Sequence, residues 1–326
     1  MSALVKPAAL RAGATLAVVS PASTPPRDQV EAGLAALGAL GYKTVLMPNA
    51  RKPGPLYYAG TVEQRLADLH AAFADPAIDG IVCTRGGWGS AELLPHLDRD
   101  LIRANPKVFV GYSDHTSLHQ WLARAAGLVS FYGPMVASDF SRAGGVDTAS
   151  WNHTFAGDAE WSLTAADGLR VLRAGVAEGS LAGGCLTLFA EALGTPYAAL
   201  PATADDPRIL FLEDVGTKPY QWDRMLLHLR YAGQLEHVMG IIFGDMRQCV
   251  PAEEEPWLDG AILHALADFT GPIAIGLRSG HVDGANITLP LGVRMRLDLS
   301  AASYPRVDFL EATVTHLDAL LLRKSC

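Results

Sequence analysis

The first part of the chain alternates short runs of β-branched and apolar residues with amphipathic stretches. The runs predicted to be strands are 16–19, 44–47, 80–84 and 108–110, and the stretches predicted to be helices are 29–40, 62–74 and 91–97. Pairing of Thr61 with Gln64 predicts a capping box at the start of the second helix. Strands that alternate with helices favour a mostly parallel sheet covered by helices, so we predict an α/β fold.

The second part of the chain repeats this pattern after a region rich in turn residues. Periodicity weakens from about residue 137 to 179, which predicts a first domain over 1–160, a linker over 161–180 and a second domain over 181–326. Beyond this region we predict the strands 209–213, 240–243 and 273–275, the helices 220–231 and 258–269, and a β-rich tail with 287–289 and 293–297. A length of 326 residues also favours two domains.

Composition narrows the class of protein. The chain is 49% hydrophobic and 18% charged, which is typical of a compact globular protein, and its formal net charge is −8. Lys and Arg do not cluster with aromatic residues, so nucleic acid and membrane surfaces are not expected partners. Lys6 and Arg11 interrupt the N-terminal apolar stretch, and no apolar run reaches about 18 residues, so we predict neither a signal peptide nor a membrane span.

The cysteines indicate the compartment. They are far apart and form no Cys-x-x-Cys pair, which predicts a reduced, cytoplasmic protein. They are Cys83, Cys185, Cys249 and Cys326.

Ser113 lies where a predicted strand passes directly into a predicted helix. It follows Gly111 and Tyr112 at the end of the apolar run, and residues 115–122 have a helix-like pattern. Such an elbow exposes the serine hydroxyl and directs the first N–H groups of the helix towards the group that the serine attacks. The alternative is that Ser113 or Asp114 only caps the helix.

Two further residues could complete a serine nucleophile. His281 lies in a loop after the strand 273–275 that has no periodicity of its own, which makes it a candidate general base. Glu213 closes a buried strand, where a carboxylate needs a partner or water, although a capping or exposed role is equally open. His115 and His119 are four residues apart, but they lack the glutamate of a zinc-protease helix and a third ligand, so no metal is predicted.

A glycine-rich segment follows the strand 80–84. Arg85, Gly86, Gly87 and Trp88 match neither the dinucleotide-binding pattern nor the Walker pattern, so no nucleotide cofactor is expected. An oxyanion hole is the other interpretation, because backbone without side chains lets N–H groups approach a developing negative charge. Arg85, Gly86 and Trp88 are candidate substrate-binding residues. Trp88 could stack on the substrate, or it could instead cover the core without contacting substrate.

Eight short motifs occur in a characteristic order along nearly the whole chain. They are residues 19–23, 85–89, 110–114, 131–135, 183–186, 212–214, 280–281 and 288–292. Together they resemble the LD-carboxypeptidase family of serine peptidases, which includes cytosolic murein-tetrapeptide carboxypeptidases and microcin C self-immunity peptidases. The resemblance implies a Rossmann-like N-terminal domain with a mostly parallel sheet and a C-terminal domain of swivelling β/α/β type. It also implies a homodimer and an active site at the domain interface.

The resemblance also implies the roles of individual residues. Ser113 would be the nucleophile, His281 the general base and then acid, and Glu213 the group that fixes the imidazole tautomer. The backbone N–H groups of Gly87 and Asp114 would be the oxyanion donors.

The substrate implied by the murein branch is a murein tetrapeptide, from which the enzyme would release the terminal D-Ala during cell-wall recycling. Residues 85–89 and 213–226 favour this branch. One alternative is a microcin-type peptidase that cleaves aminoacyl-nucleotide amides, and another is a non-catalytic two-domain protein that binds a small ligand.

The chain departs from the expected patterns at two places. His115 stands where an α/β-hydrolase would have glycine, and the spacer 282–286 is longer than expected, which leaves the pose of His281 open.

Overall fold

Two β-sheets organise the protein, one built mainly from each half of the chain. The computed structural model describes residues 4–158, 160–199 and 201–316. The strands are β1 (Thr15–Val19), β2 (Lys43–Leu46), β3 (Gly80–Cys83), β4 (Val108–Gly111), β5 (Ser130–Tyr132), β6 (Trp161–Thr164), β7 (Arg170–Arg173), β8 (Val176–Cys185), β9 (Arg208–Glu213), β10 (Val238–Gly244), β11 (Ile273–Leu277), β12 (Leu289–Leu291), β13 (Arg294–Asp298) and β14 (Arg306–Phe309).

Helices connect and cover these strands. The α-helices are α1 (Arg27–Ala39), α2 (Val62–Ala74), α3 (Ser90–Leu93), α4 (Arg99–Ala104), α5 (Thr116–Trp121), α6 (Thr148–Ala156), α7 (Leu186–Glu191), α8 (Pro219–Tyr231) and α9 (Glu255–Ala265). Short 3₁₀ turns occur at Leu94–His96, Ser113–His115, Ala165–Asp167 and Ala252–Glu254, and a π-helical turn, Leu122–Ala126, continues α5. Helix α2 begins with the predicted capping box of Thr61 and Gln64.

The first sheet has the strand order β12-β5-β4-β3-β1-β2. Strands β1 to β5 are parallel, and β3 and β4 are buried along their whole length, which explains their uninterrupted apolar sequences. Strand β12 comes from the second half of the chain and pairs antiparallel with β5, with Leu289 opposite Tyr132. The two halves of the chain are therefore joined within one sheet.

The second sheet has the order β6-β14-β13-β8-β9-β10-β11-β7, in which β8 to β11 are parallel. Strands β6 and β7 and the start of β8 lie in 161–180, so this segment is part of the second sheet and not a connection outside it. The edge strands β6 and β7 have four residues each and adjoin turns, which masks their alternation in the sequence. The two-sheet α/β architecture itself is confirmed.

Side chains on opposite faces of β9 enter different parts of the core. Leu210 and Leu212 pack with α7, α8 and α9, whereas Ile209 and Phe211 join the apolar cluster shared with the first sheet. This shared cluster holds the two sheets together, with Glu213, the last residue of β9, at their junction.

Two other sequence predictions concern membranes and cysteines. No helix among the described residues is long and apolar enough to cross a bilayer. Cys83, Cys185 and Cys249 are buried free thiols, and Cys326 lies outside the described residues.

Candidate active site

Ser113 occupies the predicted elbow between β4 and α5. It begins the 3₁₀ turn that leads directly into α5, and its φ is 63°, a left-handed conformation that is unfavourable for a residue other than glycine. Strain of this kind is typical of functional sites, where the surrounding structure must hold the residue in place. The backbone N–H of Ser113 donates a 3.1 Å hydrogen bond to Tyr132 Oη.

The glycine-rich segment after β3 packs directly on this elbow. A methyl group on Gly86 would lie 2.8 Å from Cβ and 2.9 Å from Oγ of Ser113, so only glycine permits this approach. Gly87 has a φ of 107°, and a methyl group there would overlap Ser23 Oγ. The N–H of Ser90 donates a 2.7 Å hydrogen bond to Asp114 Oδ2, which ties the elbow to the end of this segment.

Glu213 and His281 form a hydrogen-bonded pair. His281 Nδ1 lies 2.9 Å from Glu213 Oε2 and 3.1 Å from Oε1, and the His281 backbone N–H donates to Oε2 at 3.1 Å. Gly280 allows this contact, because a methyl group there would lie 2.5 Å from Glu213 Cδ. The carboxylate therefore fixes the orientation of the ring, and in the neutral ring with Nδ1 protonated Nε2 is the proton acceptor.

Tyr132 joins the elbow to this pair, a role that the sequence analysis missed. Its hydroxyl donates a 2.5 Å hydrogen bond to Glu213 Oε1 and accepts the Ser113 N–H. Tyr132 ends β5, the strand next to β4, and is fully buried. The only signal in the sequence was an aromatic residue with a polar tip within one of the eight motifs.

The pKa values of the pair are displaced in opposite directions. Burial raises the pKa of the Glu213 carboxyl, but the charge of His281 and hydrogen bonds from His281 and Tyr132 outweigh it, so the net pKa is lowered. Burial lowers the pKa of His281, but the charge and hydrogen bond of Glu213, together with the charges of Asp214 and Asp139, outweigh it, so the net pKa is raised above 6.5. The pair thus favours a carboxylate beside an imidazole of increased basicity.

The loop that carries His281 is held from two sides. The Asn286 side chain bonds both backbone groups of Gly280, at 3.0 and 3.1 Å. The Arg142 guanidinium donates to the carbonyls of residues 282, 283 and 284 at 3.1, 2.5 and 2.8 Å, and to Asp139 Oδ1 at 3.3 Å. The spacer 282–286, which left the pose of His281 open in the sequence, is therefore fixed by Asn286 within the loop and by Arg142 outside it.

Ser113 and His281 line one cleft of about 570 Å³. Its other lining residues are Pro26, Gln29, Arg85, Gly86, Gly87, Tyr112, Met135, Ala137, Ser138, Ser141 and Arg142.

The predicted substrate-binding residues are placed differently around this cleft. Arg85 is partly buried in its wall, and among the described residues its guanidinium has neither an ion-pair nor a hydrogen-bond partner. Gly86 also lines the cleft. Trp88 is 42% exposed and lies outside the set of residues that line it.

His115 and His119 are buried structural residues. His119 uses both ring nitrogens, with Ser130 Oγ and the Gly111 carbonyl each at 2.8 Å, and His115 Nδ1 lies 3.0 Å from the Tyr112 carbonyl. Burial lowers the pKa of His115 to about 4 and that of His119 to about 3. Both rings are therefore neutral at physiological pH, and their contacts with the carbonyls of Gly111 and Tyr112 stabilise the elbow.

Comparison with known proteins identifies the family of the chain. The LD-carboxypeptidase N-terminal domain matches residues 16–133, and the LD-carboxypeptidase C-terminal domain matches residues 178–297. A putative carboxypeptidase of Streptomyces coelicolor is 39% identical over 309 residues, which cover 91% of this chain and 94% of the relative. A probable murein peptide carboxypeptidase of Bacillus subtilis is 36% identical over 306 residues, covering 90% and 91%. The crystal structure of an MccF-like protein from Bacillus anthracis superimposes with a TM-score of 0.85 at 26% identity, covering 94% of this chain and 99% of that one. The chain therefore belongs to the LD-carboxypeptidase family of hydrolases.

Proposed function

We propose that Ser113, His281 and Glu213 form a catalytic triad that hydrolyses a peptide bond. The observation that carries this proposal is the Glu213–His281 hydrogen bond at 2.9 Å beside a serine held at positive φ in the same cleft. His281 Nε2 takes the proton of Ser113 Oγ as the oxygen attacks the substrate carbonyl, and it then gives this proton to the leaving amine. Water, activated by the same nitrogen, hydrolyses the acyl-enzyme and restores Ser113.

The oxyanion donors are the backbone N–H groups of Gly87 and Asp114. Ser113 itself does not serve, because its N–H is already donated to Tyr132 Oη. Gly86 brings the glycine-rich backbone against the serine, which supports a donor from this segment.

The proposed substrate is a murein tetrapeptide that loses its terminal D-Ala. The Bacillus subtilis relative is named a murein peptide carboxypeptidase. Arg85 supports a carboxypeptidase, because a guanidinium in the cleft wall with no partner among the described residues suits a C-terminal carboxylate. Arg142 lines the same cleft, but its donors are engaged by the loop 282–284.

The first experiment measures D-Ala release from L-Ala-D-Glu-meso-diaminopimelate-D-Ala by wild type and Ser113→Ala. We expect release by wild type and a loss of at least ~10³-fold in Ser113→Ala, as for other triad nucleophiles. The matched specificity test compares this peptide with its C-terminal carboxamide. Arg85→Gln should raise KM for the acid and leave turnover of the carboxamide unchanged.

The likeness to the MccF-like protein supports a second candidate, a peptidase that cleaves an aminoacyl-nucleotide amide. Ser113-dependent cleavage of such an amide, with an inert tetrapeptide, would select it. If neither compound is cleaved, the non-catalytic binding protein becomes the better interpretation. A cytoplasmic location and a homodimer stay predictions.

A further inference from the structure

A second cavity of about 510 Å³ lies between the two halves of the chain. It is bounded on one side by α5 and the π-helical turn Leu122–Ala126, and on the other by residues 180–183 of β8. It shares no lining residue with the active-site cleft.

Gln120 is one of the residues that line this cavity, and its buried side-chain amide has no partner among the described residues. The residue is 5% exposed, and neither Oε1 nor Nε2 has a hydrogen-bond partner among the described residues. Burial of an amide without a hydrogen bond is unfavourable, so a ligand that supplies hydrogen-bonding groups to this amide would be stabilised. The amide offers an acceptor and two donors side by side, and a peptide group complements it with one of each.

Three arginines line the same cavity without a carboxylate partner. Within the described ranges, Arg99, Arg103 and Arg124 have no acidic oxygen within 4.0 Å, although Arg99 and Arg124 donate to the carbonyls of residues 125 and 198. These three positive side chains line one cavity, although the chain as a whole has a net charge of −8.

The other charges of the cavity largely cancel. Lys6 is paired with Glu311, and Arg208 with Asp206. Arg294 also lines the cavity and is paired with Glu178, which lies outside the lining. Asp205 is the remaining acidic group of the lining and has no ion pair within the described ranges, so the cavity keeps an excess of positive charge.

We propose that this cavity binds a short acidic peptide, with its carboxylates on the arginines and a peptide group on the Gln120 amide. The proposal does not depend on the triad. A guanidinium binds a carboxylate through paired hydrogen bonds, and the unpaired amide selects a ligand with a peptide group over a simple anion.

The test titrates the full-length protein calorimetrically with the dipeptide L-Ala-D-Glu, its neutral analogue L-Ala-D-Gln, and inorganic phosphate. We expect the acidic dipeptide to bind at least ~10-fold more tightly than either comparison ligand, and its affinity to fall as salt rises. Gln120→Met removes the amide at nearly constant volume and should weaken binding by ~10-fold or more without loss of thermal stability, since it removes an unpaired buried group.

Control variants separate the two sites and keep the test decisive. Arg103→Gln lies on the exposed edge, cannot disturb the core, and should weaken dipeptide binding by ~3-fold or more. Arg85→Gln should leave it unchanged, and Gln120→Met should leave peptidase activity unchanged. The proposal is overturned if the dipeptide does not bind at millimolar concentration, if Arg85→Gln abolishes binding, or if phosphate binds equally well.

Discussion

The hydroxyl of Tyr132 donates a 2.5 Å hydrogen bond to Oε1 of Glu213. Tyr132 ends β5 of the first sheet and Glu213 ends β9 of the second, so this bond links the two sheets at the candidate active site. Since the same hydroxyl accepts the Ser113 N–H, one buried side chain positions both the nucleophile elbow and the carboxylate that orients His281.

Replacement of this hydroxyl tests its positioning role. Tyr132→Phe leaves the Ser113 N–H without its acceptor and removes one donor to Glu213, each worth about 1–3 kcal/mol when buried. We expect kcat for the tetrapeptide to fall about 10- to 100-fold. Tyr42→Phe is the matched control, because it removes a partly buried phenol that accepts from Trp151 Nε1 at 3.1 Å outside the cleft. Equal activity of both variants would refute the role of Tyr132.

The positive φ of Ser113 predicts a trade between stability and activity. A non-glycine residue in this conformation costs about 1–3 kcal/mol, which glycine avoids. The greater freedom of glycine in the unfolded chain lowers the free energy of unfolding by about 0.4–1 kcal/mol, which offsets part of the stability gained by relief of the strain. Ser113→Gly should therefore have a higher melting temperature than Ser113→Ala, although both lack the nucleophile and should be inactive. Thermal unfolding of the two variants measures the difference, and identical midpoints would show that the elbow is not strained.

The raised pKa of His281 predicts the acid limb of the pH profile. His281 must be neutral to accept the proton of Ser113, and its pKa in the folded protein lies above 6.5. Activity should therefore increase with pH through a midpoint above 6.5, measured as kcat/KM so that the free enzyme is titrated. A flat profile from about pH 5 to 8 would contradict the assignment of His281 as the base.

Glu213→Gln tests the cause of this shift. The substitution removes the largest of the charges that raise the pKa of His281 and leaves the burial that lowers it, while the smaller effects of Asp214 and Asp139 remain. The midpoint of the residual activity should move to lower pH than in the wild type, whereas no shift is expected if Glu213 served only to pack the core. NMR titration of the His281 ring in the same variant checks the direction independently of turnover.

How far the sequence could predict the site depended on how local each signal was. Ser113, Glu213 and His281 each follow or close a strand, so residue type and periodicity were enough to identify them as candidates. The role of Tyr132 depends on how two sheets meet, which no short window of sequence contains. For Trp88 the sequence left stacking on substrate and a lid over the core both open, and the structure places it outside the set of residues that line the cleft.

Secondary structure was likewise predictable where its signal was local in the sequence. Buried parallel strands such as β3 and β4 have continuous apolar sequences and were predicted. Helix α4 was missed, since it is only six residues long, and β6 and β7 were assigned to a linker because such short edge strands gain their stability from neighbours distant in sequence. The contact between Arg142 and the loop 282–284 joins segments about 140 residues apart, so it also could not be predicted from the sequence.

This contact predicts that Arg142 positions His281 rather than binding substrate charge. Arg142→Gln removes the donors to the carbonyls of residues 282–284, so the loop should lose its fixed pose and kcat should fall about 10-fold or more with a smaller change in KM. Arg142→Lys separates the two roles, because lysine keeps the charge but lacks the planar fork that reaches several carbonyls. Recovery of activity in the lysine variant would indicate substrate binding instead. Arg247→Gln is the control, because it breaks only a partly exposed ion pair, 2.6 Å long, with Asp283 of the same loop and should change activity less than about 2-fold.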